Sequence, residues 1–105
     1  MDTPHILVVS GNADILATIL RLIKDQSAWT AQGATDEQAA KTLLARGTYD
    51  VVLLGGALTT ETETRLREWV ASAHPATKVV SHYGGGSGLL FGEVLQALHE
   101  PVGLK

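Results

Sequence analysis

The chain has 105 residues, enough for a single domain spanning 1–105 that buries roughly two-thirds of its unfolded surface without help from metal or disulfide. It has no cysteine, which excludes disulfide frameworks, cysteine-ligated zinc and thiol catalysis and fits a reducing compartment. A net charge of −3, with 8 Lys plus Arg against 11 Asp plus Glu, offers no basic stripe to a phosphate backbone, so direct nucleic-acid binding is not expected.

In chain order, short β-branched runs alternate with segments of helical period, the pattern of a parallel sheet flanked by helices. Ile6 to Val9 is continuously apolar, as a strand covered on both faces should be. Asn12 is placed to cap a first helix in which Ile15, Leu16, Ile19, Leu20 and Ile23 recur at spacings of three and four. Trp29 to Gln32 reads as a weak edge strand. Thr35 and Gln38 have capping-box spacing ahead of a second helix carrying Ala39, Ala40, Leu43 and Leu44, with Gly47 at its C-cap. Val51 to Leu54 is the clearest central strand. Thr60 and Glu63 repeat the capping-box spacing before a third helix with Leu66, Trp69, Val70 and Ala73, closed by Pro75. Lys78 to Val80 reads as a fourth strand, followed by a glycine-rich loop and an apolar helix containing Leu89, Leu90, Phe91, Val94, Leu95 and Leu98. Right-handed crossovers arrange these units as an α/β, doubly wound, flavodoxin-like parallel sheet of strand order 2-1-3-4, with a fifth strand missing or vestigial.

Two runs, His5 to Leu16 (HILVVSGNADIL) and Tyr49 to Leu58 (YDVVLLGGAL), resemble the receiver domains of response regulators in two-component signalling. Asp14 after the first strand, Glu37 in the second helix and Asp50 before the third strand sit where receivers carry similar residues. The resemblance implies a pocket at the carboxyl edge of the sheet, and this chain departs from it there. Ser10 and Gly11 stand where receivers place a pair of metal-binding carboxylates, and Gly55 stands where they place the phosphoaccepting aspartate. The family's hydroxyl residue falls on Ser81 or His82, and the family's lysine on a fifth strand has no match. Phosphoryl transfer to a carboxylate needs an aspartate nucleophile, a magnesium ion on hard oxygen ligands and a cation to steady the charge. The pocket of Ser10, Gly11, Gly55, Ser81 and His82 is therefore a degenerate one, with no catalytic residue, metal site or cofactor expected.

The acids nearby do not replace what is missing. Asp14 belongs to a helix first turn, Asp50 to the opposite strand end, and Glu61 and Glu63 to the first turn of the third helix. The loop of Gly84, Gly85, Gly86 and Ser87 is neither a Walker-type nor a dinucleotide-binding loop, yet it follows a strand and precedes a helix, where backbone amides can cradle an anion. With Gly11, Gly55 and Gly56 it makes a rim bare of side chains, so a small-ligand sensor is the alternative function. His5, His74, His82 and His99 are scattered over different elements without a metal-ligand spacing. Ser10 and Ser81 could face one pocket, though neither lies on a nucleophile elbow.

Only 25 residues, 81–105, follow the fourth strand. Either Leu89 to His99 is the fourth helix and Val102 to Lys105 a vestigial edge strand, or a deletion has placed the last helix directly after the fourth strand. Both leave a strand edge and a helix face without cover, which favours a homodimer or a protein partner. The apolar stretches fall far short of the roughly 20 residues that span a bilayer, and Asp2 and Pro4 stand where a signal peptide would carry basic residues. The expectation is a cytoplasmic, non-enzymatic interaction module in signalling or transcriptional regulation, without membrane contact.

Overall fold

The computed structural model describes residues 4–26 and 29–81. Their elements run β1 (His5–Val9), α1 (Ala13–Gln26), β2 (Thr30–Ala34), α2 (Glu37–Arg46), β3 (Val51–Leu54), α3 (Thr60–Ala73) and β4 (Lys78–Ser81). All pairings are parallel and the strand order is β2-β1-β3-β4, as the alternation of strand and helix predicts. The segments expected to form a last helix and a vestigial fifth strand lie outside the described residues.

Strand parity divides the core in two. Ile6, Val8, Val51 and Leu53 face α1 and pack with Leu16, Ile19 and Ile23. Leu7, Val9, Val52 and Leu54 face the other side and pack with Ala40 and Leu44 of α2 and Leu66 and Val70 of α3. With helices on both sides, all eight of these strand residues are fully buried. That is why the sequence shows continuous apolar runs here instead of alternation.

The helices begin where a side-chain oxygen can take the first free amides. Asn12 Oδ1 accepts from the amides of Asp14 at 2.8 Å and Ile15 at 3.0 Å, as expected. The two predicted capping boxes are each displaced by one residue. Asp36, not Thr35, caps α2, its Oδ1 accepting from the Ala39 amide at 2.7 Å. Thr59, not Thr60, caps α3, its Oγ1 accepting from the Thr62 amide at 3.1 Å. Both neighbouring pairs offer a competent cap, and the turn geometry chooses between them. Gly47 closes α2 as expected, with extended backbone and its amide donating to the Leu43 carbonyl.

β2 begins at Thr30, one residue later than the sequence suggests, and runs on to Ala34 because it follows β1 residue for residue from His5 to Val9. Gly33 in this strand has a packing role: a Cβ there would stand 2.8 Å from Leu16 Cδ1 and 2.9 Å from Leu20 Cδ1. The glycine lets two leucines of α1 rest directly on the edge strand. No helix of the described residues is long and apolar enough to cross a membrane.

On the opposite side a charge cluster ties α2 to α3. Glu37 accepts from Lys41 at 2.9 Å and from Arg65 Nε at 3.0 Å, while Lys41 Nζ lies 5.5 Å from the centre of the Trp69 ring. Hydrogen bonds from Lys41 and then Arg65 hold the Glu37 carboxyl below its ordinary pKa. A carboxylate with a depressed folded-state pKa stabilises the fold above its unfolded pKa, and that contribution is lost as pH falls through the folded value. Urea titrations of Glu37→Gln and wild type between neutral pH and pH 3 should therefore differ most near neutrality and converge in acid; a pH-independent difference would show that the carboxylate's charge is not what matters.

Candidate functional site

The carboxyl edge of the sheet begins just past the register row Ala34, Val9, Leu54 and Ser81. In open α/β sheets the crevice at this edge, where strand order reverses, is the usual place for a ligand. Here the reversal falls between β1 and β3, and the loops that follow these strands close on one another.

The closure is built from backbone. The Gly55 amide donates to the Val9 carbonyl at 2.7 Å, extending the ladder past the strand end. One step further, the Gly11 amide donates to the Gly56 carbonyl at 3.2 Å. Ser10, fully buried, donates its hydroxyl to the same Gly56 oxygen at 2.9 Å and accepts from the Asn12 amide at 3.3 Å. Its hydroxyl thus fastens the loop after β1 to the loop after β3. Ala57 completes the contact: a Cβ on Gly11 would stand 2.0 Å from the Ala57 carbonyl oxygen, so only glycine fits beneath it. Ala57 itself has φ 65°, a left-handed conformation that L-residues enter at a cost.

Gly55 is buried, and a Cβ added to it would stand 3.2 Å from Ile19 Cδ1 and 3.3 Å from Ser10 Cβ. A side chain at this position would press on the Ile19 δ-methyl of α1 and on Ser10, which would have to give way slightly. The structure thus brings together Ser10, Gly11 and Gly55, three of the residues singled out from sequence, and adds Gly56 and Ala57 to them.

It separates Ser10 from Ser81. Ser10 shares the parity of Ile6 and Val8 and lies on the α1 side, whereas Ser81 pairs with Leu54 on the α3 side. There the Ser81 hydroxyl accepts a hydrogen bond from the Arg67 guanidinium of α3. The two serines do not face one pocket. Arg67 carries no motif, and only the register of β4 reveals its pairing. His82 and the loop Gly84, Gly85, Gly86 and Ser87 lie outside the described residues.

The nearby acids stand where the sequence puts them. Asp14, Glu61 and Glu63 occupy helix first turns. Asp50 lies at the far end of the sheet, its Oδ2 accepting from the His5 amide at 2.8 Å. At that same end the His5 ring stacks on Tyr49 with centroids 4.2 Å apart, and burial raises the Tyr49 pKa. Among the described residues no group of three or more His, Asp or Glu side chains could hold a metal ion.

No family model and no curated protein matches this chain. Solved structures do. The signal receiver domain of an HD domain-containing protein from Pseudomonas fluorescens Pf-5 superposes with TM-score 0.70 at 23% identity, over 92% of this chain and 77% of that one. A response regulator receiver protein from Pseudomonas putida gives TM-score 0.70 at 17% identity, over 92% and 81% of the two chains. A CheY-like response regulator receiver domain protein from Methanospirillum hungatei JF-1 gives 0.70 at 18% identity, over 91% and 76%. The fold is that of receiver domains, and at these identities the likeness speaks for the fold alone.

Because the Gly56 carbonyl keeps the Gly11 amide when the serine hydroxyl is removed, Ser10→Ala should cost only the net value of one buried hydrogen bond, roughly 0.5–1.5 kcal/mol, in urea denaturation. A loss well above that would mean that the hydroxyl alone holds the two loops together.

Proposed function

We propose that this chain is a receiver-like protein interaction module of signal transduction or transcriptional regulation whose state is not set by phosphorylation. The observation that carries the reading is the closed edge between β1 and β3. Gly55, Ser10 and Gly11 meet there without a carboxylate among them, the Ser10 hydroxyl is engaged with the Gly56 carbonyl, and the Ala57 carbonyl occupies the space beside Gly11. A receiver pocket works by presenting an aspartate and a magnesium ion to a phosphoryl donor, and neither the nucleophile nor the hard-oxygen ligands for the ion are present at these positions. The module is accordingly read as non-enzymatic and cofactor-free, acting in the cytoplasm.

Its switch, on this reading, is the binding of another protein or of a second copy, which shifts the population of a state the module already samples. The surface proposed for that contact is the outer side of β4 with the apolar segment 89–99 that follows it. Each residue of β4 is only half-buried, in contrast to the wholly buried β3 beside it. A strand edge that is not covered within its own chain offers a row of amides and carbonyls to a partner.

Incubation with acetyl phosphate and magnesium should leave the intact mass unchanged, and a phosphoryl adduct on the native chain would overturn phosphorylation independence. Light scattering over a dilution series tests the self-association arm: a dimer that persists on dilution supports pairing through β4, and a monomer at every concentration removes the homodimer and leaves a heterologous partner.

A further inference from the structure

Ala57 is the one non-glycine among the described residues with positive φ, and it sits on the contact that closes the carboxyl edge. Strain of this kind persists only where surrounding contacts over-determine it. Such contacts surround Ala57: Gly11 lies beneath its carbonyl, and the Gly11 amide and Ser10 hydroxyl both bind the Gly56 oxygen. The two sides oppose each other. Hydrogen bonds hold the loop down, and the backbone of Ala57 favours its release.

We propose that residues 56–58 form a strained latch with a second, open arrangement, in which Ala57 returns to ordinary φ and the Gly56 carbonyl leaves Gly11 and Ser10. The local chemistry allows it. The adjacent Gly55 and Gly56 provide a hinge of wide conformational freedom at one end, and the Thr59 cap fixes the start of α3 at the other. Gly11 and Ala57 are exposed and Gly56 half-buried, so water can reach the Gly56 carbonyl and the Gly11 amide once they part, while the buried Ser10 hydroxyl keeps the Asn12 carbonyl as an acceptor at 3.3 Å. Gly55 stays behind, since its amide belongs to the ladder with Val9. The latch rests on the reading of the chain as a module without phosphoryl chemistry, and gives that module a two-state element at the receiver edge which a bound protein can bias.

Amide exchange of the full chain, followed by NMR in wild type and Ala57→Gly, tests the latch without reference to any partner or phosphodonor. Glycine removes the strain that favours release, so the Gly11 amide should exchange roughly three- to tenfold more slowly in the variant, while the slowest amides of β3 change less. An unchanged Gly11 rate, or a slowing shared equally by β3, overturns the latch, since exchange would then not report a local opening. Gly11→Ala supplies the opposite perturbation: its Cβ should displace the Ala57 carbonyl and shift resonances of Ser10 and residues 55–58 while leaving those of β2 in place. Confinement of the shifts to these residues supports the latch, and their spread through β2 argues against it. A phosphoryl adduct in the mass experiment would remove the functional reading and leave these exchange rates to be judged separately.

Discussion

The structure depends on the parallel ladder between β1 and β3, and on its continuing beyond the strands. Leu7, Val8 and Val9 lie beside Val52, Leu53 and Leu54 in fixed register, and this pairing sets which side chains enter each half of the core. The same ladder runs on through the Gly55 amide and then the Gly11 amide, so the loops inherit the register of the strands. What is elsewhere a crevice becomes a seam of main-chain hydrogen bonds. Glycine at 11 is the geometric condition for this seam, because a carbonyl oxygen occupies the volume of a methyl group there.

The two faces of the sheet do different work. The α1 side is apolar up to the edge, where Ile19 reaches toward Gly55 and Ile15 remains 39% exposed. The other side carries the charges: Glu37, Lys41 and Arg65 between α2 and α3, and Arg67 over Ser81. Exposed ion pairs of this type contribute little to stability individually. Lys41 to Glu37 lies within α2 and only Arg65 crosses from α3, so the packing of α2 and α3 on the sheet rests on Ala40, Leu44, Leu66 and Val70.

Much of this architecture was legible in the residues. Ile6 to Val9 and Val51 to Leu54 announce themselves because a strand covered on both faces has no polar positions, and Asn12 is a cap with no competitor beside it. Thr35 and Asp36, like Thr59 and Thr60, are pairs of competent caps, and spacing cannot choose between neighbours. The absence of an aspartate at Gly55 was visible at once, but the closing of the edge was not. Ala57 carries no turn signal, and alanine gives no warning of positive φ. Ser10 and Ser81 were similarly ambiguous, because their placement on opposite faces follows from the interstrand register, which one strand's sequence does not contain.

Gly33 has a consequence of another kind. The absent side chain at 33 and the δ-methyls of Leu16 and Leu20 share a single volume, so a change at one of these positions is felt at the other two. A methyl group at 33 would turn these flexible leucine ends aside, and a smaller residue at 16 or 20 opens a space that a side chain at 33 could fill. The depth at which α1 sits on the edge of the sheet is thus set jointly by three side chains from two elements, with the glycine of the strand as the smallest of them.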